Sequence, residues 1–428
     1  MKLIVIGGGW AGCAAAAQAA KMGAETILLE RTDMLLGTGL VGGIMRNNGR
    51  FTATEELIAL GGGEIFKAID DNFLHQNISF PGHDHASLYN VATMEPIIRG
   101  LLRRAGAQIH FQSRVVDAET DGETIQAVVA KDRVTGEALR LTADVFVEAT
   151  GTAGGPANCS KYGNGCAMCV LRCHSFGGRV SLAAKAGIKE MRAVKGGQVG
   201  AFSGSCKLLK ESLDPAIKKE LDRKGVVVAP LPEELVVGDK LAIKACQQYA
   251  LPEFGRNLVL LDTGHAKLMT PYFPLEALRM VPGFEKARYE DPYAGGLGNS
   301  VRYLGMSPRD NSLKVAGLAN LFCAGEKTGP LVGHTEAICT GVLAGCNAVR
   351  TAAKAKPLVL PDSLAIGDAV SYVQNQIQTE QGLALKFTFS GSVLFERLKQ
   401  KGLYSTDKNE IKKRVASEGL EDIFNKSF

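Results

Sequence analysis

Lys2-Leu3-Ile4-Val5-Ile6-Gly7-Gly8-Gly9-Trp10-Ala11-Gly12 is the stretch that decides how this chain folds. Its first five residues are an apolar run of strand length. The glycines follow at once, then an alanine-rich helical segment from Cys13 to Met22, then a second apolar strand, Thr26 to Leu29, ending on Glu30. Each glycine of the G-x-G-x-x-G pattern has its own task. Gly7 makes the tight turn, Gly9 lets the backbone approach a pyrophosphate, and Gly12 lets the helix lie close to the strand. The helix start at Trp10 and Ala11 offers unbonded N–H groups and a partial positive charge to phosphates. Glu30 is placed to accept from a ribose hydroxyl, and Arg31 beside it belongs to the same candidate set. A glycine turn alone is a common structural device. Strand, turn, helix, second strand and terminal acid together specify dinucleotide binding.

The chain has 428 residues, 46% of them hydrophobic, enough for two cores. A net charge of +5 is small for this length and does not argue for nucleic acid or an anionic membrane. No apolar stretch reaches transmembrane length, and the amino terminus runs directly into a core strand without a signal peptide. The expected location is therefore cytoplasmic, with no membrane partner. In that compartment the ten cysteines are thiols or metal ligands rather than a disulfide framework.

Further along, Thr54 to His75 reads as helix interrupted at Gly61-Gly62-Gly63, followed by a polar loop carrying His83 and His85. Met94 to Arg104 reads as an amphipathic helix and Ile109 to Ala118 as a strand. Gln126 to Ala130 and Ala138 to Thr142 flank the turn Val134-Thr135-Gly136, a hairpin signal. Asp144 to Ala149 is a last apolar strand that closes on Thr150-Gly151. Far downstream, Asn320 to Glu326 forms a short strand ending in Ala-Gly-acid, and Gly333-His334-Thr335-Glu336-Ala337 opens a helix of small residues.

This order of elements resembles the FAD-binding domain of the glutathione-reductase superfamily. The resemblance implies that Val115 sits against the adenine and that Thr150-Gly151 marks where the chain crosses the cofactor. It also implies that Gly325 and Glu326 hold the ribityl chain, while Glu336 and Ala337 bring a helix start to the flavin pyrimidine. Ala324 to Gly329, Gly333 to Ala337 and Gly341 to Gly345 are further similar to the carboxyl-terminal motif of the glucose-inhibited division protein A group. That group includes the folate- and FAD-dependent tRNA uridine methyltransferases. Val281 to Ala287 and Pro361 to Gly367 agree with it. Two features depart from the group. Its reactive cysteine is missing from Leu40 to Met45, and Glu326 and His334 stand where glutamine and tyrosine are expected. Uridine methylation is therefore not carried over, while FAD binding is.

Cys159, Cys166, Cys169 and Cys173 have the spacing C-x6-C-x2-C-x3-C. The last three are close to the run that holds a [4Fe–4S] cluster in bacterial ferredoxins, with His174 in the usual proline position. Zinc is a second reading, a Cys166–Cys169 redox dithiol a third, and one buried helix face a fourth. Cys13, Cys323, Cys339 and Cys346 read as core residues. His334 is a candidate catalytic group beside the flavin. Arg302, Tyr303, Arg309, His265 and Lys267 are weaker candidates for reaching an anionic substrate. Asp214-Pro215 reads as the cap and first position of a charged helix.

The expected architecture is α/β: a Rossmann-type FAD-binding domain with an inserted α+β substrate domain and a helical carboxyl-terminal tail. The flavin domain takes residues 1–158 and 314–358, the insert 159–313 and the tail 359–428. The expected function is FAD-dependent electron transfer to or from a small-molecule substrate, using the cysteine cluster. A single G-x-G-x-x-G argues against a second, dedicated nicotinamide domain and leaves the electron source open; a redox protein or NAD(P)H is a candidate partner, with a homo-oligomer in view. The alternatives are a folate- and FAD-dependent tRNA-modifying enzyme and an electron-transfer subunit without its own substrate.

Overall fold

The computed structural model describes residues 1–152, 172–195, 198–199, 201–203, 206–236, 247–269, 273–290, 300–302 and 305–427. Its central sheet has five strands. They are β1 (Lys2–Ile6), β2 (Glu25–Leu29), β3 (Gln108–His110), β4 (Val145–Glu148) and β5 (Leu321–Cys323), in the order β5-β4-β1-β2-β3. All four pairings are parallel. Parallel sheets are covered on both faces, so their strands read as continuous apolar runs, as β1 and β4 do. The strand from far downstream joins in register, Phe146 opposite Leu321 and Glu148 opposite Cys323.

Two helices of small residues cover one face. They are α1 (Trp10–Lys21) and α3 (His334–Ala352), with α2 (Gly49–Ala59) packed beside them. The contact is close because Gly341 and Gly345 present no side chain to α1. A Cβ on Gly341 would lie 2.3 Å from the Ala11 carbonyl oxygen, and one on Gly345 2.4 Å from that of Ala15. Such interdigitation is what crystal-like packing density requires. Cys13, Cys323, Cys339 and Cys346 are buried in this layered core.

On the other face lies an antiparallel meander, Ser113–Asp121, Thr124–Asp132 and Ala138–Thr142. Asp132 folds its second turn by accepting the N–H groups of Val134 and Thr135, each at 2.8 Å. Those two bonds hold its carboxyl below the usual range.

The stretch read as helix from Thr54 to His75 behaves differently. Helix α2 stops at Ala59, Gly61 turns with φ of +86°, and a separate helix spans Glu64–Asp70. Phe73–Phe80 is then a strand paired antiparallel with His83–Tyr89, so the expected polar loop is a hairpin. His83 is buried there, its ring between Phe80 and Tyr249 at 4.7 and 4.8 Å. A second sheet, ordered Cys206–Leu208, Ala266–Leu268, Asn257–Asp262, Val226–Pro230, has its own core around Leu208, Leu260, Leu268 and Phe284. The adjoining helix Pro215–Lys224 is capped by Asp214, which accepts from the Ala216 N–H at 2.8 Å.

The tail is helical, Ala365–Gln376, Ser392–Gln400 and Lys408–Ser417, and packs back on α2. Glu56 of α2 supplies the link. It accepts the N–H groups of Ala365 and Ile366 at 2.8 and 3.0 Å. Burial pushes its pKa up to about 7 despite those bonds. Among the described residues no helix is long and apolar enough to cross a membrane.

Candidate cofactor site

A cleft runs over the carboxyl ends of β1, β2, β4 and β5, where open α/β sheets hold their ligands. Its floor is the first glycine turn. Gly7 has φ of +99° and lies against Ala149, while a Cβ on Gly12 would be 1.8 Å from the Gly7 carbonyl oxygen. Gly12 is therefore a packing residue outside the cleft wall, holding the strand and α1 together. Gly9 is different. It caps α1, and a Cβ there would meet nothing within 4 Å. The space over Gly9 is where a pyrophosphate fits against the free N–H groups of the first helical turn.

Gly7, Gly9, Trp10, Ala11, Glu30 and Arg31 all line the cleft. Glu30 is buried and fixed by the N–H groups of Gly8 at 2.7 Å and Thr32 at 2.8 Å. Val115 stands close by, with Ser113 and Arg114, on the first meander strand. Thr150 and Gly151 follow β4, and Gly151 has φ of +68° with open space where a Cβ would be. Gly325, Glu326, His334 and Ala337 complete the wall from the downstream motif. Glu326 accepts from Thr152 Oγ1 at 2.7 Å, tying the two halves across the cleft. The shape and chemistry of this wall fit FAD: an open glycine cradle under a helix start, an acid at the end of β2, and polar backbone at the crossing point.

Glu336 does not line the cleft. Its carboxylate is fully buried on Arg50 at 3.1 Å, and it accepts from Thr388 Oγ1 at 2.7 Å and the Phe389 N–H at 2.8 Å. The helix start it belongs to remains at the wall through His334 and Ala337. Arg309 is also a structural residue. It is buried and donates to the carbonyls of Thr328 at 3.0 Å and Val370 at 2.9 Å, and burial lowers its pKa to about 10.

Behind Thr150 and Gly151 lies a buried charge network. Glu148, at the end of β4, accepts from Thr150 Oγ1 at 2.7 Å and from the N–H groups of Leu182 and Ala183 at 2.9 and 2.8 Å. Burial opposes its charge, yet Lys327 at 3.5 Å and Arg179 hold its pKa below the usual carboxylate range. Glu190 pairs with both cations, which pull it down to about 2 in spite of its own burial.

Cys159, Cys166 and Cys169 lie outside the described residues, as does Tyr303. Cys173 is described, half-buried at the head of the short helix Cys173–Phe176. The segment it opens is pinned beside the wall that carries Val115. Arg172 pairs with Asp33 at 2.6 Å, Arg31 donates to the Gly177 carbonyl at 2.8 Å, and Arg114 to that of Gly178 at 2.9 Å. Among the described residues no group of three or more His, Cys, Asp or Glu side chains is arranged to hold a metal.

Several wall residues carry no motif. Arg50 comes from α2, Gln248 and Tyr249 from a short turn of helix, and Lys267 and Met269 from the second sheet and just beyond it. Only long-range pairing brings them here; the weak signal was Lys267 itself, a lysine inside an apolar strand. His83 holds two of these elements. Its ring nitrogens bond the Asn47 side chain at 2.9 Å and the Gln248 carbonyl at 3.0 Å, and burial lowers its pKa to about 4. The neutral ring thus donates from Nε2 to Gln248 and accepts at Nδ1.

Residues 2–154 match the family model described as FAD dependent oxidoreductase, and residues 264–356 that of glucose inhibited division protein A. Among curated proteins, the tRNA uridine 5-carboxymethylaminomethyl modification enzyme MnmG of Salinibacter ruber is 30% identical over 35% of this chain and 22% of its own length. The methylenetetrahydrofolate–tRNA-(uracil-5-)-methyltransferase TrmFO of Streptococcus sanguinis is 29% identical over 34% of this chain and 31% of its own. The matches thus span about a fifth to a third of these relatives. In fold, Aquifex aeolicus GidA superposes with a TM-score of 0.69 at 18% identity, covering 99% of this chain and 73% of that one. Over residues 264–356 in sequence, and over 99% of its length in fold, the chain resembles the glucose-inhibited division protein A group, while residues 2–154 resemble FAD-dependent oxidoreductases.

Proposed function

We propose that this protein is an FAD-dependent oxidoreductase that moves a hydride between flavin and a substrate held against Tyr249, Lys267 and His334. The observation that carries this reading is the continuity of the cleft, from Gly9 and Glu30 to His334, built from both ends of the chain. Bound flavin supplies reversible two-electron acceptance. The protein's own part is to bind, orient and exclude water. Gly9 and the α1 start hold the phosphates, Glu30 the ribose, and Glu326 with Thr152 the ribityl side. His334, at the first position of α3, is placed to hold or release a substrate proton.

The core thiols take no part in this chemistry. No cysteine lines the cleft among the described residues. Burial raises the pKa of Cys13, Cys323, Cys339 and Cys346, so none is a poised nucleophile. The spacing of Cys159, Cys166, Cys169 and Cys173 keeps an iron–sulfur cluster or redox dithiol as the candidate relay. A second reading, flavin-dependent modification of a tRNA uridine, is favoured by the curated relatives and by the whole-chain likeness to GidA.

Anaerobic purification tests both. FAD near one per chain, reduced by NAD(P)H or by an electron-transfer protein, with about four irons and broad absorbance near 400 nm, is the expected result. Yellow, iron-free protein with titratable thiols would replace the cluster by a dithiol. Methylated uridine in tRNA incubated with protein and methylenetetrahydrofolate would move the assignment to the second reading. A chain that takes up no flavin would end both.

A further inference from the structure

We infer that Arg179 is a side-chain cation for the cofactor's pyrophosphate, a binding residue that lies outside every glycine motif. The inference rests on the flavin reading above and deepens it, and it concerns only the phosphate-bearing part of the cofactor. Arg179 lines the cleft, yet only 8% of its side chain is exposed. Its Nη2 donates to Glu190 at 2.6 Å, while its Nε–H is buried without an acceptor. A guanidinium is always charged and carries five donors. Buried donors in folded proteins are nearly always bonded, and leaving one unmade is costly. A buried arginine with a donor left over, at the wall of a cleft, fits an anion that enters the cleft.

The chain around Arg179 points to the pyrophosphate as that anion. On one side, the carbonyls of Gly177 and Gly178 are held by Arg31 and Arg114, from the wall that carries Glu30 and Val115. On the other side, Glu190 also takes the ammonium of Lys327, the residue after Glu326. A Cβ on Gly325 would lie 2.9 Å from that of Ala11, which seats this second wall against the first turn of α1. Arg179 therefore stands between the acid that ends β2 and the acid that follows β5, in the middle of the cleft where α1 begins. The start of α1 offers phosphates only about half a unit of positive charge. A diphosphate seated between two acids calls for a full cation as well. The network behind Arg179 keeps it in place. Lys327 lies 3.5 Å from Glu148 and donates to Ser181 Oγ at 3.0 Å, so Glu190 retains a second cation while Arg179 faces a ligand.

The test uses the full-length, flavin-free protein, titrated with FAD and with ADP at constant ionic strength. Arg179→Met and Glu190→Gln both break the same ion pair, but only the first removes the cation. Arg179→Met should weaken FAD and ADP alike, by about tenfold or more, and Arg179→Lys by only a few-fold. Glu190→Gln should bind both ligands at least as tightly as wild type, because the guanidinium then has the phosphates as its counter-charge. Melting temperature reports folding of each variant. Should Arg179→Met not fold, Arg179→Lys and Glu190→Gln decide by the same expectations. Wild-type affinity in Arg179→Met, or a tenfold loss in Glu190→Gln, overturns the inference and leaves the flavin reading standing. Arg179-dependent binding of ADP by a chain that takes up no flavin would end the flavin reading and keep the phosphate seat. A chain that binds neither ligand ends both.

Discussion

Arg50 and Glu336, 286 residues apart in the chain, meet at 3.1 Å with the carboxylate fully buried. The pair joins α2 to the first turn of α3 and fixes the helix start that faces the cleft. Removing one partner of such a pair strands a charge in the interior, at a cost of about 3–5 kcal/mol. Glu336→Leu should show that loss in urea unfolding, and Arg50→Met with Glu336→Leu should recover much of it. A double variant no more stable than the single one would show that the bonds to Thr388 and Phe389, not the ion pair, hold this corner.

Gly9 and Gly12 belong to one motif and have separable tasks. A methyl group at Gly12 strikes the Gly7 carbonyl, whereas one at Gly9 enters open space. Gly12→Ala should therefore cost stability in the flavin-free protein, by about 1–3 kcal/mol for overpacking. Gly9→Ala should leave the flavin-free protein within about 0.5 kcal/mol of wild type while weakening FAD binding strongly. Equal stability losses in the two variants would contradict this division.

Trp10 is the chain's only tryptophan and lines the cleft, with its ring 6.2 Å from that of His334. Adding FAD to the flavin-free protein should quench tryptophan emission in step with binding, and Trp10→Phe should abolish the signal without abolishing binding. Emission that ignores added flavin, in protein shown to bind it, would separate Trp10 from the cofactor.

Glu56 and His83 give opposite pH dependences. Burial raises Glu56 from 4.5 to about 7, so its contribution is full below pH 4.5 and is lost as pH rises through 7. Burial lowers His83 from 6.5 to about 4, so its contribution is full above pH 6.5 and is lost as pH falls through 4. Each shift corresponds to about 3 kcal/mol. The stability difference between wild type and Glu56→Gln should therefore shrink from pH 4.5 to 7, while that between wild type and His83→Asn should grow from pH 4 to 6.5. Two difference curves of the same slope would refute the assignment.

Five cysteines of the ten, Cys13, Cys206, Cys323, Cys339 and Cys346, are buried. A thiol reagent should titrate no more than five in the native metal-free protein and all ten after unfolding. More than five fast thiols would show that the core opens on that timescale.

The flavin motifs were legible because their meaning is local: a turn, a helix start and an acid at a strand end follow one another in sequence. Gly12 could be read as a small residue that allows close packing, since the absence of a side chain is itself the signal; the packing of Gly341 and Gly345 on α1 appears only in the structure. Glu336 misled because a motif says where a helix begins and not which way a carboxylate turns; Arg50, far away in sequence, decided that. The hairpin of Phe73–Phe80 and His83–Tyr89 was missed for a related reason. Its polar residues suggested a solvated loop, and only the partners Asn47 and Gln248 make a buried, neutral His83 acceptable. Lys267 was visible as a candidate, but the carbonyl partners of its ammonium lie in a loop more than two hundred residues earlier.

The pairing of Leu321–Cys323 with Val145–Glu148, sealed by glycines that let α3 lie on α1, has a consequence for how this molecule can be rebuilt. Cutting the polypeptide anywhere between those two strands yields fragments that each lack an edge the other supplies. Co-expressed, they should reassemble into a yellow complex, whereas either alone should be colourless and insoluble.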